Sequence, residues 1–224
     1  NEYYRWVSRS LPNIEFGTKV ESITYDGRSF QILTSRNLLR AKHIVIGTGL
    51  LPIIPSCAQP HLGETVFHAH QFLSKRRHLA GKTVALIGGG QTAAELALNL
   101  FDTPYEPKCN ILWITRRGNL LPLDDSPFTN EFFVPSYSNS FFKMSEDRRT
   151  RLLHEQRLAS DGISESLLQE IYRRLYTAEF VEQMPRRVHL IPHAELAAVV
   201  SRGTRWELTV RDTLENRNKT FQAD

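Results

Sequence analysis

Cysteine is scarce in this sequence of 224 residues: Cys57 and Cys109 lie far apart, and neither belongs to a Cys-x-x-Cys pair. A disulfide scaffold and a dithiol redox centre are thereby excluded, and the usage fits a reducing, cytoplasmic setting. No apolar run approaches the roughly 18 residues of a membrane-spanning helix, and no basic-then-apolar leader opens the chain, so neither membrane spanning nor signal-directed secretion is expected. There is no Gly-x-Ser-x-Gly elbow and no cysteine-nucleophile signature, which leaves acyl transfer without support. Charge of one sign is also in short supply. Lys and Arg number 28 against 24 Asp and Glu, interspersed for a net +4, which gives a mild bias toward anionic ligands and no expectation of nucleic acid. The basic run Lys75-Arg76-Arg77-His78 has no aromatic residues between its charges and reads as a solvated helix end. His68-x-His70 could place two imidazoles on one face of a strand, but no third ligand is suitably spaced and no metal is expected.

What remains is a globular α/β composition, 41% hydrophobic and 23% charged, enough for one large domain or two small ones. Residues 30–34 read as a strand, 35–37 as a polar turn, and 38–41 as the strand's partner. Ile44-Val45-Ile46, followed by Gly47-Thr48-Gly49, reads as a strand buried on both faces, as in a parallel sheet. Pro52, Pro55 and Pro60 then enforce an extended stretch. Residues 83–87 read as a second buried strand, followed at once by Gly88 through Glu95 and an apolar-periodic helix through Leu96, Leu98, Leu100 and Phe101 that Pro104 and Pro107 end, and residues 110–115 read as a third strand; together these make a βαβ unit. Residues 123–137, rich in Asp, Ser, Pro and Phe, predict irregular turns. Helices are expected over 146–158 and 164–180, the latter with Ser164 as N-cap, and a short strand over 188–191. The last stretch, with a strand at 206–210, a turn at 216–219 and a return at 220–221, echoes residues 30–41. A counterpart of the 44–46 strand is expected beyond residue 224, which marks the sequence as a fragment.

Gly88-x-Gly90-x-x-Ala93, directly after a strand and opening a helix, has the spacing and context of a dinucleotide fingerprint. Gly88 permits the tight turn, Gly90 leaves room for a pyrophosphate, and Ala93 lets the helix approach the sheet; the helix N-terminus attracts the phosphates. The next strand ends in Arg116-Arg117, where an NAD site would carry a carboxylate. Two guanidiniums there suit the 2′-phosphate of NADP(H), Arg116 first, with a solvated turn as the alternative. Gly47-Thr48-Gly49 taken alone reads equally as a turn or a site. Followed by a βαβ unit some forty residues later, it is the arrangement of a flavin domain interrupted by a nicotinamide domain.

Several stretches then carry a family resemblance: Gly47-Thr48-Gly49 with Leu51-Pro52 and Phe67-His68-Ala69; Ile87 through Glu95; and Leu123-Asp124-Asp125-Ser126-Pro127-Phe128-Thr129-Asn130-Glu131. A fourth, Leu158-Ala159-Ser160-Asp161-Gly162-Ile163-Ser164, looks more like the lysine-hydroxylating branch than the fungal ornithine one. The sequence resembles the flavin-dependent lysine/ornithine/diamine N-monooxygenases of siderophore biosynthesis from about residue 3 to residue 224. The resemblance implies that NADPH reduces FAD, that reduced flavin activates O2, and that an unprotonated side-chain amine becomes an N-hydroxylamine. It assigns Gly88, Gly90, Gln91 and Thr92 to NADPH, Arg116 to its 2′-phosphate, and Thr48 and Gly49 to the flavin's surroundings. Asn130 would bind the amine, with a loop residue bonding its own backbone as the alternative, and either Ser160 or Asp161 would lie near substrate and nicotinamide. Gln71 stands where ornithine hydroxylases carry Lys or Arg, which leaves the phosphate to the two arginines.

The expected architecture is therefore α/β, with a Rossmann-like parallel-sheet NADP(H)-binding domain inserted in an incomplete FAD-binding domain. Residues 1–63 and 191–224 would belong to the flavin domain, and residues 64–190 to the nicotinamide domain with its substrate-contacting insertion. No FAD fingerprint precedes residue 47, so the chain alone is expected to bind FAD poorly and to be inactive. The amine could be lysine, ornithine, putrescine or cadaverine, and homo-oligomerisation is left open. A pyridine-nucleotide flavoprotein reductase and a non-catalytic dinucleotide-binding module are the alternative readings.

Overall fold

Turn chemistry organises the first fifty residues. The computed structural model describes residues 2–224 and divides the chain into two units, Asn1–Leu51 and Pro52–Asp224. In the first, helix α1 (Glu2–Ser10) is followed by β1 (Val20–Tyr25), β2 (Phe30–Thr34) and β3 (Leu38–Ala41), an antiparallel sheet in that order. Asp26 closes the β1–β2 turn by accepting the N–H groups of Ser29 at 2.8 Å and Arg28 at 2.9 Å, the local bonding that favours Asp in turns. Those two donors hold its carboxyl well below the usual carboxylate range. The anticipated polar turn at 35–37 joins β2 to β3, with the Thr34 hydroxyl bonded to Asn37.

The strand expected at Ile44-Val45-Ile46 does not form. Residues 43–55 have no regular secondary structure, and Val45 and Ile46 are 95% and 74% exposed. An apolar run gains from strand geometry only when neighbours on both sides satisfy its backbone and cover its side chains. Among the described residues no strand pairs with it.

In the second unit, short helix α2 (Phe72–Lys75) leads to β4 (Thr83–Ile87), α3 (Gln91–Phe101) and β5 (Asn110–Ile114). Four further helices follow, α4 (Pro127–Asn130), α5 (Pro135–Phe142), α6 (Glu146–Glu155) and α7 (Glu165–Tyr176), and then β6 (Val188–Ile191), β7 (Ala194–Arg202), β8 (Arg205–Asp212) and β9 (Arg217–Ala223). β4, β5 and β6 form a parallel sheet with β5 in the centre, and β7, β8 and β9 an antiparallel one. The period-2 geometry of β5 divides its side chains between two cores. Ile111 and Trp113 point into a cluster with Ala94, Ala97 and Leu100 of α3 and Ile171 of α7. Ile114 joins Val199, Leu208 and Val210 of the antiparallel sheet on the other face. Each buried Ile, Leu or Val among these contributes about 1.5–3 kcal/mol relative to exposure.

Several boundaries differ from the sequence reading. The helix expected over 146–158 is α-helical only to Glu155, and a 3-10 turn, Arg157–Ala159, completes it. The helix expected to 180 leaves α geometry after Tyr176 and ends in a π turn, Thr177–Val181. β7, the longest strand among the described residues, has no counterpart in the sequence expectations; Ala-Glu-Leu-Ala-Ala has helical propensity, and its cross-strand partners in β8 override that preference. The turn expected at 216–219 sits earlier, since β9 already begins at Arg217. The echo between the two ends of the chain is real in form: each is a three-stranded antiparallel meander.

Candidate functional site

The parallel strands β4 and β5 present the glycine turn. The ladder continues one residue past β4, where the Gly88 N–H donates to the Ile114 carbonyl at 2.9 Å, and the chain then turns into α3 with Gly90 as N-cap. Gly88 adopts φ +145°, which side-chain-bearing residues avoid. A Cβ on Gly90 would meet nothing within 4 Å, so open space lies where a ligand backbone could approach. Gly90 brings no side-chain oxygen to the first-turn N–H groups of α3, which leaves them to an external acceptor. Ala93 is buried against the turn, its Cβ 3.4 Å from a Cβ built on Gly88.

Gly89, the unspecified position of the fingerprint, is the most confined of the three. A Cβ there would lie 2.2 Å from the Thr115 hydroxyl oxygen and 3.1 Å from Thr115 Cβ. The run of three glycines was the available signal, but spacing rules assign no role to its middle member. Two side chains also hold the turn's carbonyls. The buried Trp113 donates its indole N–H to the Gly88 oxygen at 2.8 Å, and Arg117 donates to the Gly89 oxygen at 3.0 Å. Nothing in the spacing signals the Trp113 contact.

The two adjacent arginines are not equivalent. Arg116 is exposed and makes no hydrogen bond or ion pair among the described residues. The Arg117 side chain is only 12% exposed; besides Gly89 it binds Asp161 at 2.5 Å, and the Asp161 side chain is 52% exposed. Asp161 is thus brought to the glycine turn, while Ser160 is exposed at the end of the 3-10 turn. Gln91 uses both ends of its amide within the protein: it donates to Glu95 at 2.9 Å and accepts the Ser164 N–H at 2.9 Å. Ser164 does sit at the N-cap position of α7, but its side chain makes no capping bond. The expected hydroxyl cap is corrected to a backbone N–H anchored on α3. Thr92, in the first turn of α3, is exposed.

Residues 158–164 are joined in turn to the loop carrying Asn130. Leu123 N–H donates to the Ile163 oxygen at 2.7 Å, Ile163 N–H to Leu121 at 2.9 Å, and Asp124 N–H to Leu158 at 2.9 Å. Gly162 allows this approach, because a Cβ there would lie 2.3 Å from Leu123 backbone atoms. The Asp124 carboxylate accepts the Thr129 hydroxyl at 2.7 Å and the Ser126 N–H at 3.2 Å, which holds its carboxyl below the ordinary range. Ser126 caps α4. At the end of that helix Asn130 is exposed and donates its amide N–H to the Asp125 carbonyl at 3.3 Å. Thr48 and Gly49 lie in the other unit, in its irregular segment; Gly49 has φ +74° with nothing within 4 Å of a Cβ.

His68 and His70 approach each other at 2.9 Å between their Nδ1 atoms, and no group of three metal-ligating side chains occurs among the described residues. Among those residues no helix is long and apolar enough to cross a membrane.

The turn, the segment carrying Asp161 and the loop carrying Asn130 therefore form one connected arrangement suited to an anionic ligand and a neighbouring polar one. The chain is 34% identical over its whole length to the L-lysine N6-monooxygenase of Escherichia coli, covering 53% of that protein, and 28% identical to a putrescine N-hydroxylase of Acinetobacter baumannii, covering 51%. It thus spans about half the length of these curated relatives. A cadaverine monooxygenase of desferrioxamine biosynthesis from Erwinia amylovora, solved bound to FAD, superposes with a TM-score of 0.86 at 26% identity, over 99% of this chain and 54% of that one. The family model for L-lysine 6-monooxygenase/L-ornithine 5-monooxygenase matches residues 1–224, and the chain belongs to that family.

Proposed function

We propose that this chain carries the NADPH site and adjoining flavin-domain segments of an FAD- and NADPH-dependent monooxygenase that N-hydroxylates a side-chain amine. Lysine is the first candidate substrate, ahead of ornithine, putrescine and cadaverine, and O2 is the co-substrate. The observation that carries the reading is the glycine turn at the start of α3, with open space at Gly90 and an unengaged Arg116 at the exit of β5. The proposed organisation keeps residues 64–190 as a nicotinamide domain inserted between flavin-domain segments 1–63 and 191–224.

The residues fit NADPH. The α3 N-terminus offers backbone donors to the pyrophosphate, and Gly88, Gly90 and Ala93 let it approach. Arg116 would form a charge-assisted pair with the 2′-phosphate. Gln91 and Thr92 would line the cofactor's path. Thr48 and Gly49 would adjoin the flavin. When bound, the two cofactors supply hydride and oxygen activation. The chain's own contribution is to hold and orient.

Asn130 is suited to the amine. Its N–H is engaged by Asp125, which leaves its amide oxygen as a neutral acceptor. A neutral acceptor does not favour the protonated amine as a carboxylate would, and only the unprotonated amine is a nucleophile. The carboxylate of Asp161 is paired with Arg117.

Amine-dependent NADPH oxidation with formation of a hydroxylamine by the full-length enzyme, measured with lysine, ornithine, putrescine and cadaverine in turn, tests the proposal. NADPH oxidation indifferent to every amine, with no hydroxylamine formed, would overturn it in favour of a reductase.

A further inference from the structure

The NADPH reading treats Arg116 and Arg117 as neighbours at one phosphate, but their surroundings assign them different work. A trans peptide is planar, so its C=O and N–H point in opposite directions. Holding the carbonyl of one glycine therefore fixes the direction of the next residue's N–H. Trp113 holds the Gly88 carbonyl at 2.8 Å, and Arg117 holds the Gly89 carbonyl at 3.0 Å. Glycine peptides rotate more freely than others, and a run of three has no side chains to bias them. The Gly89–Gly90 peptide, whose N–H belongs to the N-cap residue of α3, is oriented by Arg117. The second arm of the same guanidinium binds Asp161 at 2.5 Å. A carboxylate this near the turn would repel a pyrophosphate if it were unpaired.

We propose that Arg117 is a positioning residue for the dinucleotide: it orients the Gly89–Gly90 peptide and neutralises Asp161, while Arg116 alone discriminates NADPH from NADH. This rests on the NADPH reading of the turn. The 2′-phosphate is the difference between the two cofactors, and the pyrophosphate is common to both. A residue acting on the turn must therefore change both affinities by the same factor, and a residue on the 2′-phosphate must change their ratio.

The test is calorimetric titration of the purified protein with NADPH and NADH. Arg117→Ala is expected to weaken both by about tenfold, with their ratio unchanged. Asp161→Asn added to it should recover part of that loss for both cofactors, because the unpaired carboxylate is gone. Arg116→Ala, the control, should weaken NADPH alone. Should Arg117→Ala not fold, Arg117→Gln keeps a donor for Gly89 without the charge; the same equal weakening and the same recovery with Asp161→Asn are expected. A changed ratio in either Arg117 variant would make Arg117 a 2′-phosphate ligand and overturn the proposal, as would unchanged affinities or a loss that Asp161→Asn leaves untouched. If the unaltered protein binds neither dinucleotide, the NADPH reading fails first and the role of Arg117 with it. Unaltered binding with the wrong response of the Arg117 variants sinks the positioning role alone.

Discussion

Two short runs of β-branched and apolar residues in this chain each end in a glycine-bearing turn. Thr83–Ile87 leads to Gly88, Gly89 and Gly90; Ile44, Val45 and Ile46 lead to Gly47, Thr48 and Gly49. The first run is a paired strand, and its turn is held by Trp113, Arg117 and the β5 ladder. The second is exposed, and its glycines meet nothing within 4 Å. The patterns are nearly equivalent. What separates them is whether another strand lies alongside to take the hydrogen bonds and cover the side chains. A buried-strand pattern is therefore a statement about partners as much as about the segment itself.

Truncation should expose this difference most strongly. Ile114→Ala, at a fully buried position of β5, is expected to cost about 2–5 kcal/mol in denaturant unfolding, whereas Ile46→Ala should stay within about 0.5 kcal/mol. Equal costs would mean that residues 44–46 are packed after all. Added methyl groups give the next contrast. Gly89→Ala and Gly162→Ala run into Thr115 and into Leu123 backbone atoms, and each should destabilise by about 1–3 kcal/mol. Gly47→Ala should leave the unfolding midpoint in place. Trp113→Phe keeps most of the buried ring but removes the donor to Gly88; a loss of about 1 kcal/mol is expected, together with weaker dinucleotide binding.

The smallest effect concerns acid. Asp212 accepts from Lys219 Nζ at 2.8 Å and from the N–H groups of Glu215 and Leu214, and these bonds lower its carboxyl pKa to about 2. A carboxyl depressed by folding stabilises the β8–β9 turn above its unfolded value near 4 and loses that contribution as pH falls toward 2. In Asp212→Asn the thermal midpoint should change less between pH 5 and pH 2 than in the unaltered protein. An identical pH slope in the two would remove Asp212 from the account.

Much of the centre was legible in the sequence because local and global signals coincide there. The strand–glycine–helix–strand unit and the hairpin at 30–41 emerged close to their observed limits, and the helix through Ile171 emerged with its start in place and its end overrun by four residues. Motif spacing singled out Gly88, Gly90, Ala93 and the arginine pair as candidates, and the family resemblance added Asn130. Spacing placed Arg116 first of the pair but gave no sign of the contacts that set Arg117 apart, because these depend on Asp161, which lies 44 residues further on and is brought back by the pairing of 121–124 with 158–163. The roles of Gly89 and Trp113 were hidden for a related reason: each depends on a contact across β5 rather than on its neighbours in sequence. β7 depends likewise on its pairing with β8, since Ala-Glu-Leu-Ala-Ala by itself has helical propensity.

Titration of the purified protein with NADPH and with NADH tests the central claim, that the turn at 88–93 with Arg116 beyond β5 forms an NADP(H) site, more directly than any other measurement. NADPH should bind about 10- to 100-fold more tightly than NADH, as a charge-assisted contact to the 2′-phosphate requires, and Arg116→Ala should abolish that preference. Equal affinity for the two cofactors, or a preference that survives Arg116→Ala, would contradict it.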